Sequence, residues 1–129
     1  MERVTISSSI KFTDQIRAAL SRFEEVGVEA SFPNLDTGLA KENVDAAFMR
    51  RLEDEHFESI DESEALYVIC PKGYVGTLVS VEIGYAHAQK KPIIFSEKPE
   101  DLGVQALATS YIPLEKLQII MELDSKGSN

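Results

Sequence analysis

The stretch GYVGTLVSVEIGYAHAQKKPI, Gly73 to Ile93, puts one carboxylate where apolar side chains belong. Helical spacing runs from Thr77 to about Lys90. With Glu82 set at zero and about 100° per residue, Leu78, Val79, Tyr85 and Ala86 fall within roughly 60° of it, while Ser80, Gly84, His87 and Lys91 lie opposite. Glu82 therefore sits in the middle of the apolar face. A carboxylate buried there without a partner costs several kcal/mol or takes up a proton. No cation lies one turn away on either side, where the chain has Leu78 and Ala86. Two readings stand side by side. Glu82 reaches solvent or pairs with a distant Arg or Lys, or it is held in a cleft with a shifted pKa, as a catalytic acid or nucleophile needs.

Three further stretches carry groups of chemical interest. TISSSIKF places Ser7, Ser8 and Ser9 where a strand turns into a helix, with Ile10 and Lys11 next. Hydroxyls and free N–H groups at such a turn can hold a phosphate, and Lys11 adds charge; the plainer reading is a capped, Ser-rich turn. GYVG lets backbone approach a ligand at Gly73 and Gly76, with Tyr74 to stack or donate and Thr77 just beyond; the plainer reading is a turn with an exposed tyrosine. EDEHFESIDESEA, 53–65, offers Glu58 or Asp61 as a second acid facing the cleft, the remaining charges forming a solvated face. His56 and His87 are too far apart in sequence to suggest a metal site, and there is no zinc-type Cys/His spacing. Neither GxGxxG nor GxxxxGKS occurs, which disfavours a dinucleotide site and a Walker loop. A response-regulator reading wants acids where the chain has Ser7–Ser9 and Cys70–Pro71.

The elements that must position these groups alternate. RVTIS (3–7) reads as a buried strand. TDQIRAALSRFEEVG (13–27) reads as a helix on Ile16, Ala19, Leu20, Phe23 and Val26, stopped by Gly27. VEASFP (28–33) is a second strand, followed by the polar loop NLDTGLAKEN. A long helical pattern covers roughly 40–63, with Val44, Ala47, Phe48, Leu52, Phe57 and Ile60 as core candidates. ALYVIC (65–70) is the clearest central strand, and Cys70 in it reads as a core residue. KPIIFS (91–96) is the next strand, a short helix lies near 100–108, YIPL holds a fifth strand, and LEKLQIIMEL closes the domain as a helix. Strands alternating with helices predict an α/β domain: a flavodoxin-like, doubly wound, five-stranded parallel sheet with helices on both faces. Ligands in such sheets bind beyond the carboxyl ends of the strands, where the loops holding Ser8, Pro33 and Gly73 converge and from which the helix carrying Glu82 in its second turn departs.

Composition narrows the partners. The chain has 129 residues, enough for one domain, expected over 1–124 with a frayed tail at 125–129. A net charge of −9 disfavours nonspecific binding to nucleic acid or to an anionic membrane and favours a small molecule. One cysteine excludes an internal disulfide. No segment has the length of a membrane span and the first residues lack a signal-peptide core, so a cytoplasmic protein is expected. No cofactor or metal is expected.

SSSI after the first strand, HFESIDESEALYVIC, GYVG and EIGYAHAQKKPI together resemble the nucleoside 2-deoxyribosyltransferase superfamily, which includes the deoxynucleoside 5′-monophosphate N-glycosidases. The likeness spans nearly the whole chain and is strongest from Phe57 to Phe95. The resemblance implies that Glu82 is the nucleophile that attacks the anomeric carbon of deoxyribose. It implies that Ser8, Ser9, Ile10 and Lys11 correspond to a Gly-Ser-Ile-Arg stretch that holds sugar and phosphate, and that Glu58 contacts the base. It also implies a homodimer or larger assembly. The chain departs from the pattern in VGTLVSVE, which has no Asp before the glutamate, so that Thr77 or backbone N–H groups take that place, and in lacking the first-loop tyrosine. The implied activity is N-glycosidic cleavage or transfer on a nucleoside or its 5′-monophosphate; a non-catalytic nucleotide or small-ligand binding module is the alternative.

Overall fold

Four short strands of three to five residues and a fifth of two residues form one sheet. The computed structural model describes residues 1–35 and 44–120. The strands are β1 (Arg3–Ser7), β2 (Glu29–Ser31), β3 (Ala65–Val68), β4 (Ile93–Phe95) and β5 (Ser110–Tyr111), and the helices are α1 (Thr13–Glu25), α2 (Ala46–Glu62), α3 (Thr77–Ala88) and the single turn α4 (Leu102–Gln105). Every strand pair is parallel, in the order β2-β1-β3-β4-β5. This is the flavodoxin-like arrangement, with its switch point between β1 and β3.

Strand alternation divides the core into two layers. Val4 and Ile6 of β1, Ala65 and Tyr67 of β3 and Ile94 of β4 pack against Ile16, Ala19 and Phe23 of α1. Leu66 and Val68 of β3 and Ile93 and Phe95 of β4 pack against Ile60 of α2 and Val79, Ile83 and Ala86 of α3. On that second face β1 presents polar side chains, and Arg3 at its start pairs with Glu62 of α2 at 3.1 Å. Thr5 Oγ1 bonds the hydroxyls of Ser59 and Ser63 on α2, each at 2.7 Å, and Ser7 points at α3.

The structure shifts some expected boundaries for identifiable reasons. Asp45 caps α2 by accepting from Phe48 N at 2.8 Å, so the helix starts at Ala46. Val44 and Ala47, taken as core candidates, are exposed, and Phe48 is half-buried. The expected closing helix is a 3₁₀ segment over Leu114–Ile119, interrupted at Lys116. Leu114, Leu117 and Ile120 are three apart and all face the α1 layer, a spacing that a three-residue turn aligns and a 3.6-residue turn does not. The remainder of that expected helix, the tail and most of the NLDTGLAKEN loop lie outside the described residues. Among the described residues no helix is long and apolar enough to cross a membrane.

Candidate active site

The floor of the site is set by the polar face of β1. Ser7 ends that strand and Glu82 stands in the second turn of α3, one element away across the sheet. Ser7 Oγ donates to Glu82 Oε1 at 2.5 Å. Glu82 is only 5 % exposed, which removes the reading in which it reaches solvent. Among the described residues its partners are neutral donors and a second carboxyl, with no Arg or Lys in an ion pair with it.

That second carboxyl is Glu53 of α2, hydrogen-bonded to Glu82. His56, one turn further along α2, brings Nε2 to 3.0 Å from the Ile6 carbonyl oxygen and 3.4 Å from Glu82 Oε1. A carbonyl only accepts, so Nε2 carries the proton and donates to Ile6, leaning toward Glu82. Phe32, just past β2, meets the His56 ring edge-on at 5.1 Å and closes that side.

Burial dominates the electrostatics. It pushes the Glu82 carboxyl above the usual range, and the hydrogen bonds from Glu53 and Ser7 pull it part of the way back. Burial first, then the hydrogen bond and the charge of Glu82, raise Glu53 to about 8. Burial lowers His56, so its ring is neutral at pH 7. Their shared hydrogen bond raises Glu53 and lowers Glu82, so Glu53 is the donor of the pair and Glu82 the acceptor, which Ser7 also donates to. Two adjacent carboxyls with separated affinities for a proton can divide the roles of acid and nucleophile.

Above these groups lies a cavity of about 360 Å³, within the range of small-molecule pockets. Ser8, Ser9, Ile10, Tyr74, Gly76, Thr77 and Glu82, all candidates from the sequence, line it. Phe32, Met49 and Leu52 supply an apolar wall that the reading did not anticipate. Other expected site residues lie elsewhere. Lys11 is not in the lining; its ammonium rests 3.5 Å over the Tyr74 ring centroid at the rim. Gly73 borders a neighbouring depression behind Tyr74, because its positive φ turns the chain toward Lys98 and Glu100. Glu58 is exposed on α2 and outside the lining. Asp61 is a correction of the same kind: it accepts from Tyr85 Oη and Gln89 Nε2, each at 2.7 Å, on the far side of the α2–α3 contact, and these bonds hold its carboxyl below the ordinary range. The helical turn explains both, since Glu58 and Asp61 are two and five residues past His56 and so point away from the face it shares with Glu53.

The serine loop also differs from a ready phosphate cradle. Ser7 is engaged by Glu82, Ser8 Oγ donates to the Ser9 carbonyl at 2.9 Å, and Ser9 Oγ accepts from Lys11 N at 3.4 Å, so each hydroxyl has an internal partner.

Fold and site together define a doubly wound α/β domain with a two-carboxyl pocket beside its switch point. Among solved structures, the fold is that of a 2-deoxyribosyltransferase from Bacillus psychrosaccharolyticus, at a TM-score of 0.69 and 13 % identity over 90 % of each chain. A conserved protein from Enterococcus faecalis V583 aligns at 0.63 and 13 % identity, over 96 % of this chain and 99 % of that one. A 3-dehydroquinate dehydratase-like protein from Bifidobacterium longum aligns at 0.51 and 10 % identity, over 95 % and 94 %. No family model matches the sequence, and no curated protein matches it.

Proposed function

We propose that the protein cleaves or transfers the N-glycosidic bond of a deoxynucleoside or its 5′-monophosphate, with Glu82 as the nucleophile. The observation that carries this reading is a buried carboxylate, 5 % exposed, on the floor of a nucleoside-sized cavity, oriented by Ser7 and beside a second carboxyl. Such a group stabilises or traps the oxocarbenium-like state of glycosidic cleavage. The Bacillus structure, described as a biocatalyst for the synthesis of nucleosides, supports the substrate class.

In this mechanism a Glu82 oxygen bonds to the anomeric carbon as the carbon–nitrogen bond breaks and the base leaves with its electron pair. Water then attacks the glycosyl ester and releases the sugar, or a second base attacks and takes it. Ser8, Ser9, Ile10, Tyr74, Gly76 and Thr77 contact the substrate, and Lys11 sits where a 5′ substituent would emerge over Tyr74. We also propose that the molecule works as a homodimer or larger, using the outer side of α3: Leu78, which lines the pocket, and Val81 next to it are 40 % and 47 % exposed.

Incubation with each deoxynucleoside and its 5′-monophosphate, with free base followed by chromatography, tests the reading. Base should appear, and Glu82→Ala should remove on the order of 10³-fold of the rate, about 4 kcal/mol of barrier. Glu82→Gln should bind substrate without turning it over. Equal release by wild type and Glu82→Ala would sink the assignment. No release at all, with calorimetric binding that depends on Ser9, Lys11 and Tyr74, would make the protein a binder.

A further inference from the structure

We infer that Glu53 is the catalytic acid, the group that hands a proton to the departing base. The inference rests on the proposed N-glycosidic reaction and assigns to Glu53 a role that neither Glu58 nor Asp61 is placed to fill.

Position is the first argument. Glu53 and Glu82 face the same cavity from different helices, α2 and α3, and are joined by a hydrogen bond. A substrate that offers its anomeric carbon to Glu82 keeps its base in the same cavity, against the wall that Met49 and Leu52 share with Glu53 on α2. Protonation is the second. Glu53 holds its proton at neutral pH, because burial and the adjacent Glu82 both oppose its charge. An unmet valence is the third. Glu53 Oε1 is buried and has no hydrogen-bond partner among the described residues. Unsatisfied buried polar atoms are uncommon, and at a cavity wall a ligand is a natural partner.

Among the described residues, three other titratable candidates for the role are placed otherwise. The His56 ring is neutral and its Nε2–H is bound to the Ile6 carbonyl. Asp61 is ionised and tied to Tyr85 and Gln89 outside the cavity. Glu58 is exposed on the outer side of α2.

The step balances. As a Glu82 oxygen bonds to the anomeric carbon, the carbon–nitrogen bond breaks, its electron pair stays on the base, and the base nitrogen receives the Glu53 proton. The base leaves neutral and Glu53 is left as carboxylate. In hydrolysis, Glu53 then removes a proton from the water that attacks the glycosyl ester; the ester bond breaks, Glu82 regains its charge and Glu53 is again protonated. Moving the charge from Glu82 to Glu53 and back keeps the pair at a single negative charge throughout.

The test is a comparison of leaving groups on Glu53→Gln. An amide keeps the shape but gives up no proton. With ordinary deoxynucleosides, Glu53→Gln should lose about 100-fold or more in kcat, the usual range for general acid catalysis. With N7-methylated deoxyguanosine, whose base already carries a positive charge and leaves without an added proton, it should lose less than about fivefold. The alkaline fall of wild-type kcat near pH 8 should also disappear in Glu53→Gln, and Glu58→Gln should match wild type on both substrates. Equal losses on the two substrates would overturn the assignment while leaving the glycosidic reaction in place. A wild type inactive on every N-glycoside would overturn the reaction and this role with it.

Discussion

Ser7 and Glu82 are 75 positions apart in sequence, yet Ser7 Oγ lies 2.5 Å from Glu82 Oε1 in a buried hydrogen bond. The contact ties the last residue of the first strand to the middle of the third helix. It fixes where the carboxylate points before any ligand arrives, which is the condition for electrostatic preorganisation.

Ser7→Ala should remove the donor and leave a buried carboxylate short of one bond. We expect a loss of about 1–3 kcal/mol in urea denaturation. Because the Ser7 bond pulls the Glu82 carboxyl down, its removal should raise the titration of Glu82. Carbon-13 NMR of labelled glutamate checks the shift, and an unchanged titration would mean that Ser7 does not hold the charge.

Glu53→Gln should change how stability depends on pH. Glu53 is raised from 4.5 to about 8 on folding, so between those values the folded state binds more proton than the unfolded state. Its contribution is full below pH 4.5 and is lost as pH rises through about 8. His56, lowered by burial, acts in the opposite direction and loses stability as pH falls below 6.5. Thermal melts of wild type should therefore decline from pH 6.5 to 8.5, and Glu53→Gln should flatten that decline. A parallel decline in both proteins would count against the raised carboxyl.

Gly27→Ala and Gly73→Ala should differ in severity. Both glycines have positive φ, +78° and +81°. A Cβ at Gly27 meets nothing within 4 Å, so the cost is the left-handed backbone alone, about 1 kcal/mol. A Cβ at Gly73 would lie 2.9 Å from Glu100 N and 3.0 Å from the Lys98 carbonyl oxygen, both backbone atoms that cannot swing away. The second variant should lose at least about 1 kcal/mol more than the first, measured by chemical denaturation.

Val81→Glu should shift the assembly toward monomer if α3 forms an interface between copies. Val81 is 47 % exposed and on the outer side of α3, so the charge should leave the fold of the single chain intact. Light scattering at micromolar concentration reads the outcome, and a wild type that is already monomeric refutes the interface.

The fold was legible because apolar strands such as β1, β3 and β4 alternate with helical patterns, and alternation implies parallel crossovers and a doubly wound sheet. Glu82 was legible because its neighbours one turn away are apolar. Glu53 and His56 were missed within the acidic run of α2. A signal was present: Met49, Leu52, Glu53 and His56 stand at i, i+3, i+4 and i+7, the stripe that also leads to Ile60. Following that stripe puts Glu53 and His56 inward and Glu58 outward. The engagement of Lys11 with Tyr74 was not legible, because it depends on how two loops from separate strands meet in space.

The two faces of β1 divide the labour of one five-residue strand. Val4 and Ile6 are wholly buried against apolar neighbours, whereas Thr5 and Ser7 are equally buried and reach only hydroxyls and a carboxyl. A mutational scan should thus split by parity along this strand. At even positions the survivors would be sorted by solubility and expression, as volume and hydrophobicity change. At odd positions the variants at Thr5 and Ser7 would be sorted by whether the replacement still partners the buried hydroxyls and carboxyl they bond, and at Ser7 also by how Glu82 is held for a ligand.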